Sequence, residues 1–186
     1  DDQQDAIWNG LMQLTQLHRF DIPSKYPCPE RFLRWMQNSQ ITHLPDALYF
    51  MGKQVALMEV LPAMTSLRSI CVYSDFDTET WTRKPTGWMA PIIQTCTQLT
   101  HLYIQPNPGD HSAFLEALTG LTNLVRLKIT TKDAVEIPAS FFSLHFPHLT
   151  DLDTNMIIPD KVLPDLADFL RYHSDLVRLG LTFSCH

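Results

Sequence analysis

Apolar side chains recur along this chain in a fixed phrase: one aliphatic residue, two residues of any type, a second aliphatic residue, one further residue, then a third. The clearest copies are Leu67-Arg68-Ser69-Ile70-Cys71-Val72, Leu99-Thr100-His101-Leu102-Tyr103-Ile104, Leu124-Val125-Arg126-Leu127-Lys128-Ile129 and Leu176-Val177-Arg178-Leu179-Gly180-Leu181. Leu17-His18-Arg19-Phe20-Asp21-Ile22 fits with phenylalanine in second place. Two copies are weaker: Leu149-Thr150-Asp151-Leu152-Asp153-Thr154 closes on threonine, and Ile41-Thr42-His43-Leu44-Pro45-Asp46 lacks the third apolar position. The anchors at 17, 41, 67, 99, 124, 149 and 176 are separated by 24, 26, 32, 25, 25 and 27 residues. A phrase held at such a period is the signature of a repeat array. Short polar pairs precede four anchors, Thr15-Gln16, Thr97-Gln98, Thr122-Asn123 and Ser174-Asp175, and suit a tight turn into a strand.

Helical spacing fills the intervals. Phe32, Leu33, Trp35 and Met36 form one set, Val55, Leu57, Met58 and Leu61 a second, and Phe114, Leu115, Ala117 and Leu118 a third, with Asp110 placed as an N-cap. Leu163, Leu166, Phe169 and Leu170 fall on one helix face. Trp88-Met89-Ala90-Pro91-Ile92-Ile93 carries proline where a first turn tolerates it. Ile7, Trp8, Leu11 and Leu14 read as a helix before the first phrase. Each unit is expected to be a short strand, a loop, a helix and a return. Parallel strands stack about 4.7–4.9 Å apart, whereas packed helices come no closer than about 8–10 Å. The helical side is therefore longer, and the stack is expected to bend with its sheet on the concave surface.

With this unit, Leu99-x-x-Leu102-x-Ile104 resembles a leucine-rich repeat of the ribonuclease-inhibitor-like type. The resemblance implies a right-handed α/β horseshoe solenoid of about seven repeats over residues 1–186, with a concave parallel sheet and convex helices. The family often places Asn or Cys three residues after the last strand leucine, to bond the neighbouring loops. Only Asn107 stands there; the corresponding residues elsewhere are Lys25, Asp75, Lys132, Ile157 and Ser184. Irregular units rich in His, Trp and Pro are similar to the repeat portions of fungal F-box/leucine-rich-repeat proteins. That likeness implies a substrate-recognition part of a ubiquitin-ligase receptor, meeting the cullin ligase adaptor only if an F-box lies upstream. Leu44-Pro45-Asp46-Ala47-Leu48 resembles the opening of an F-box but falls in repeat register. The opening Asp1-Asp2-Gln3, and a last strand with no polar capping face after it, lead to the expectation of a piece of a longer chain.

Residues between the inward aliphatics face the other way and form rows on the expected concave surface. One row is Arg19, His43, Ser69, His101, Arg126, Asp151 and Arg178; the next is Asp21, Pro45, Cys71, Tyr103, Lys128, Asp153 and Gly180; a third runs Pro23, Ala47, Tyr73, Gln105, Thr130, Asn155 and Thr182. Tyr73, Tyr103 and Arg126 have the chemistry of interface anchors. Arg126 and Lys128 stand beside Asp151 and Asp153, as in neutralising cross-strand pairs. The partner-binding set is thus Arg19, His43, Tyr73, His101, Tyr103, Arg126, Lys128, Asp151, Asp153 and Arg178. The longest unit, about six residues beyond the others, carries its excess in Ser74–Gly87, a loop whose Phe76, Trp81 and Arg83 are recognition candidates. An enzyme regulator, of GTPase-activator or nuclease-inhibitor type, is the alternative function, and Arg83 is the arginine an activator would need.

Composition narrows the chemistry. A formal charge of −6 on 186 residues argues against a nucleic-acid footprint. No apolar run approaches a membrane span. Cys28, Cys71, Cys96 and Cys185 are too sparse for a disulfide framework and read as reduced thiols, which places the chain inside the cell, in cytoplasm or nucleus. Neither Asp75-x-Asp77-x-Glu79 nor His145-x-x-His148 completes a metal-ligand pattern, and no nucleophile-and-base motif or phosphate-cradling glycine loop is present. The expectation is a protein-binding module that is not an enzyme and carries no cofactor.

Overall fold

The computed structural model describes residues 2–19, 29–44, 54–72, 76–77, 82–83, 89–105, 111–131 and 134–183. It is a mixed α/β fold. Among the described residues the helices are α1 (Asp2–Met12), α2 (Glu30–Gln37), α3 (Gln54–Ala63), α4 (Met89–Thr95), α5 (His111–Leu118), α6 (Ala139–Phe142) and α7 (Leu163–Tyr172). The strands are β1 (His43–Leu44), β2 (Ser69–Val72), β3 (Phe76–Asp77), β4 (Thr82–Arg83), β5 (His101–Ile104), β6 (Arg126–Ile129), β7 (Asp151–Ile158) and β8 (Arg178–Phe183). Six of these form one sheet in the order β1-β2-β5-β6-β7-β8, and every neighbouring pair is parallel. Helices adjacent in the chain also pack on one another: α1 on α2, α2 on α3, α3 on α4, α4 on α5 and α6 on α7.

The register follows the phrase. Arg19 bridges His43, which pairs with Ser69, then His101, Arg126, Asp151 and Arg178 in turn. Each junction has the same wiring. The carbonyls of His18, Thr42, Arg68, Thr100, Val125 and Thr150 each accept two backbone N–H groups from the next phrase, at 2.8–3.4 Å. A tight turn closes before each strand, in which the anchor N–H donates to the carbonyl three residues back: Leu17 to Leu14, Leu67 to Met64, Leu99 to Cys96, Leu124 to Leu121, Leu149 to Phe146 and Leu176 to His173. At the remaining anchor the Ile41 N–H donates to Ser39 Oγ instead. Backbone polarity is thereby satisfied in a repeating way, as burial requires.

Alternation along β2, β5, β6 and β7 sorts the side chains, whereas β8 does not alternate and leaves Leu179, expected to point inward, and Phe183 exposed. Ile70, Val72, Leu102, Ile104, Leu127, Ile129, Leu152 and Thr154 are buried, and the residues between them stay accessible. The anchors Ile41, Leu67, Leu99, Leu124 and Leu149 lie beneath, all essentially inaccessible. Helices supply the other wall through Phe32, Leu33 and Met36 of α2, Phe114, Ala117 and Leu118 of α5, and Leu166 and Phe169 of α7. Proline aims several helices. Pro29, Pro138 and Pro159 stand in extended geometry, φ −74 to −77° and ψ 148–150°, directly before α2, α6 and the 3-10 turn that leads into α7. Glu30 and Arg34 then pair along α2 at 2.7 Å.

Several expectations need correction. Met58 is exposed because it lies off the side of α3 that carries Val60 and Leu61. Ile7 and Leu14 are also exposed; of that group Trp8 is the residue driven into the core, against Phe32 at 4.6 Å between ring centroids. Leu163 is 40% exposed, at the start of α7. The third row does not hold at its end: β7 bulges between Asp153 and Ile157, so Thr182 pairs with Ile157 rather than Asn155. The extra residues let Ile157 exchange backbone hydrogen bonds with Val135 and Ile137, at 2.8 Å each. The segment read as a loop at Ser74–Gly87 contains an antiparallel pair, β3 with β4, in which Phe76 faces Arg83 in register. Asp110 and Asn107 lie outside the described residues.

Candidate functional site: the accessible face of the sheet

Strand alternation places the second residue after each anchor on the accessible face, and the residue just before it fixes how that side chain sits. Threonine holds this preceding place in three units. Thr42 Oγ1–H donates to His18 O and Thr100 Oγ1–H to Arg68 O, both at 3.2 Å. With its proton used, each hydroxyl accepts from the neighbouring imidazole Nδ1–H, at 2.7 Å for His43 and 2.9 Å for His101. Thr150 Oγ1 lies 3.3 Å from Val125 O and 3.0 Å from Asp151 Oδ2. One hydroxyl therefore ties a unit to its predecessor and orients a side chain on the face.

The structure brings together nine of the ten partner-binding residues expected from sequence. Arg19, His43, His101, Arg126, Asp151 and Arg178 share one register row, and Tyr103, Lys128 and Asp153 the next, between Cys71 and Gly180. Tyr73 lies outside the described residues, as does Trp81. Phe76 and Arg83 are held on the β3–β4 pair, which belongs to a separate two-stranded sheet.

The expected cross-strand pairs form. Lys128 Nζ is 2.9 Å from Asp153 Oδ2 and Arg126 reaches Asp151 Oδ1 at 3.6 Å. Lys128 also lies over the Tyr103 ring, 5.2 Å from its centroid. Hydrogen bonding to Asp153 raises the Lys128 pKa above its ordinary value. Burial, then the positive charge of Arg126 and of His43, hold His101 below its ordinary value, against the opposing pull of Asp151. Gly180 completes the second row for a steric reason: a Cβ there would lie 2.6 Å from Asp153 Oδ1. These exposed pairs contribute little to stability. Their effect is to neutralise the β6–β7 part of the face.

Several structural residues escaped the sequence reading. Gln98 Nε2–H donates to Leu61 O and Met64 O, and Asn123 Nδ2–H to Thr97 O, so amides one place before the anchor reach back to the preceding unit. Asn155, assigned to the third row, instead clamps a loop: Oδ1 accepts from Thr131 N–H at 2.6 Å and Nδ2–H donates to Thr131 O at 2.7 Å. Among the described residues the buried polar side chains are Thr131, Thr154 and His173. Thr154 Oγ1 accepts from Met156 N–H at 3.1 Å, which explains a threonine at the third apolar place. Recurrent threonine at 42, 100 and 150 was the available signal for the hydroxyl device; nothing in the sequence marked the bulge.

Elsewhere, a depression of about 390 Å³ is lined by Phe142, Ser143, Leu144, His145, Asp165, Asp168, Tyr172 and His173. Asp168 is paired with Arg171. Among the described residues no group of three His, Cys, Asp or Glu is placed to hold a metal ion, and no helix is long and apolar enough to cross a membrane. Cys96 is buried, its thiol donates to Ile92 O, and burial pushes its pKa up to about 12. Cys28 and Cys185 lie outside the described residues. No family model matches this chain, and no curated protein matches it.

Proposed function

We propose that the chain is a leucine-rich-repeat solenoid, curved with its helices outside, and that it works as a protein-binding module through the concave face of its sheet. The observation that carries this reading is the unbroken parallel register from Arg19 to Arg178, with hydrocarbon and one threonine, Thr154, buried beneath β1, β2, β5, β6 and β7, and charged, aromatic and imidazole side chains above. Curvature follows from spacing, since helices packed in sequence need about twice the separation of the strands they accompany. The face acts by recognition rather than by catalysis. The narrower role is substrate recognition for a cullin-type ubiquitin ligase inside the cell, with an F-box supplied by a longer chain.

The test is capture of partners from cell extract by the immobilised protein, compared with Arg126→Glu and with helix-side variants Arg34→Glu and Arg171→Glu. A partner lost with the first and retained with the other two supports the reading. Equal retention by all three, or loss confined to the helix-side variants, refutes it. A second reading, a regulator of an enzyme, rests on Arg83, which the β3–β4 pairing gives a defined backbone. Acceleration of GTP hydrolysis by a bound GTPase, abolished in Arg83→Ala, is the result that reading requires.

A further inference from the structure

The accessible face is cationic on an anionic chain. Among the described residues it carries Arg19, Arg126, Lys128 and Arg178 against Asp151 and Asp153, while the whole chain has a formal charge of −6. Both carboxylates are engaged by Arg126 and Lys128, and both lie on β7. From Arg19 to Arg126 the first row crosses five neighbouring strand positions without meeting an acid: Arg19, His43, Ser69, His101, Arg126. At the parallel-strand spacing this stretch covers about 19 Å. Arg19 makes no ion pair among the described residues.

The two imidazoles are prepared rather than idle. Thr42 and Thr100 hold Nδ1–H, which leaves Nε2 as the basic nitrogen of each ring. Protonation of His101 at Nε2 adds a donor and a positive charge to a row that already has an arginine at either end. The groups that face His101 are His43 across Ser69, Arg126 on β6 and Asp151 beyond it. The first two oppose its protonation, so an incoming carboxylate that screens them favours it. Anion binding and proton uptake are thereby coupled.

We propose that this row receives an acidic polypeptide segment laid across the strands, with its carboxylates on Arg19, His43, His101 and Arg126, and that Thr42 and Thr100 are positioning residues that aim the two imidazoles. The inference rests on the sheet face being the partner surface, and it names the chemistry of the partner.

The test uses fluorescein-labelled decapeptides of glutamate, glutamine and lysine, with fluorescence polarisation at low salt. The glutamate peptide is expected to bind at least about tenfold tighter than the glutamine peptide, and to gain about three- to tenfold between pH 7.5 and 6.0, as uptake of up to one proton allows. Arg19→Ala/His101→Ala/Arg126→Ala should weaken it about tenfold or more, while Arg34→Ala and Arg171→Ala leave it unchanged. Arg126→Glu alone provides the same check should the triple variant fold poorly. Thr100→Val should reduce the pH gain and shift the His101 ring-nitrogen resonances, which a merely structural threonine would not do. Glutamate binding no tighter than glutamine binding, or equally weakened by the helix-side variants, overturns the proposal. So does tighter binding of single-stranded DNA, which would assign the row to phosphates. A lysine peptide bound on Asp151 and Asp153 overturns the acidic occupant while leaving the partner-surface reading intact. So does partner capture lost in Arg126→Glu without any binding of the glutamate peptide.

Discussion

His173 holds a place that hydrocarbon or thiol fills in other units. The anchor N–H donates to the carbonyl of Leu14, Met64, Cys96, Leu121, Phe146 and His173 in turn, and of these His173 alone is ionisable near neutral pH. Its ring stacks on Phe169 at 3.9 Å between centroids and is 5% exposed as a residue. Nδ1–H donates to Phe169 O at 2.8 Å, and Nε2 accepts from Phe146 N–H at 3.0 Å. The second bond answers a local need. In other units the corresponding N–H finds a helix carbonyl: Met64 uses Val60, Cys96 uses Ile93 and Leu121 uses Leu118. The one-turn helix α6 has ended before Phe146, so that donor would be buried without an acceptor. His173→Leu restores the apolar filler and orphans the Phe146 N–H, at a cost of about 1–3 kcal/mol. In a chain of this size that lowers Tm by roughly 2–12 °C. The neutral ring also sets a pH dependence. Burial, opposed by the hydrogen bond to Phe169 and reinforced by His145, holds the folded-state pKa below the ordinary 6.5. The unfolded chain therefore binds the proton first. The stability due to His173 is complete above pH 6.5 and is lost as pH falls toward the folded-state value, by up to about 1.4 kcal/mol per unit. His101, shifted in the same direction, leaves a common background slope in both proteins. Urea titrations followed by circular dichroism at pH 7.5, 6.5 and 5.5, with hydrogen exchange at the Phe146 amide, measure both effects. A variant equally stable at pH 7.5, with the parental pH slope and a protected Phe146 amide, refutes the reasoning.

Leu124→Asp places a carboxylate where exposure is zero, between packed units; a loss of more than about 4 kcal/mol is expected, and an unchanged thermal melt would contradict the register. Asn155→Ala removes all three hydrogen bonds of the amide side chain to Thr131. It should cost about 1–3 kcal/mol and expose the Thr131 amide to exchange, whereas exchange at the parental rate would show the clamp to be unnecessary. Gly180→Ala sets a methyl against Asp153 Oδ1. Asp153 should turn away from Lys128, whose pKa should fall toward 10.5 by NMR titration with little change in stability, and an unaltered Lys128 pKa would refute the steric account.

What was readable in the sequence was whatever repeats. A parallel strand must present the same side-chain alternation at every unit, so Leu99-x-x-Leu102-x-Ile104 and its relatives predict both the register and the charged row above it. Paired charges were equally readable, because Arg126 with Asp151 and Lys128 with Asp153 occupy matching places in adjacent phrases. Features made by one unit departing from the pattern were not readable. The β7 bulge depends on contacts of Ile157 with Val135 and Ile137, some twenty residues upstream and outside any phrase. The His173 bond depends on α6 being one turn long, which shows only once the helix is seen to stop. The β3–β4 pair is two residues on each side, too short for an alternation to register.

The contrast between the two faces of the sheet bears most directly on function. Beneath, the second phrase position is a buried leucine or isoleucine in β1, β2, β5, β6 and β7, since any polar group there would have to be paired within the core, whereas Leu179 of β8 is 42% exposed. Above, at identical backbone geometry, the residues are Arg19, His43, Ser69, His101, Arg126, Asp151 and Arg178. The backbone ladder that joins the units uses none of these side chains, so assembly places no chemical demand on them. Threonine would serve a solvated strand face equally well and has the better strand propensity. Instead the carboxylates are gathered on β7, where they cancel the cations of β6, and the other side of the row is left with arginine and imidazole held in place by hydroxyls. Stability gains little from that asymmetry, because exposed charges stabilise weakly. A stretch of several strands that carries arginine and imidazole and no carboxylate does matter to an approaching anion, which it attracts and orients before contact. The partner-binding role proposed for this face therefore accounts for the arrangement more completely than the stability of the array does.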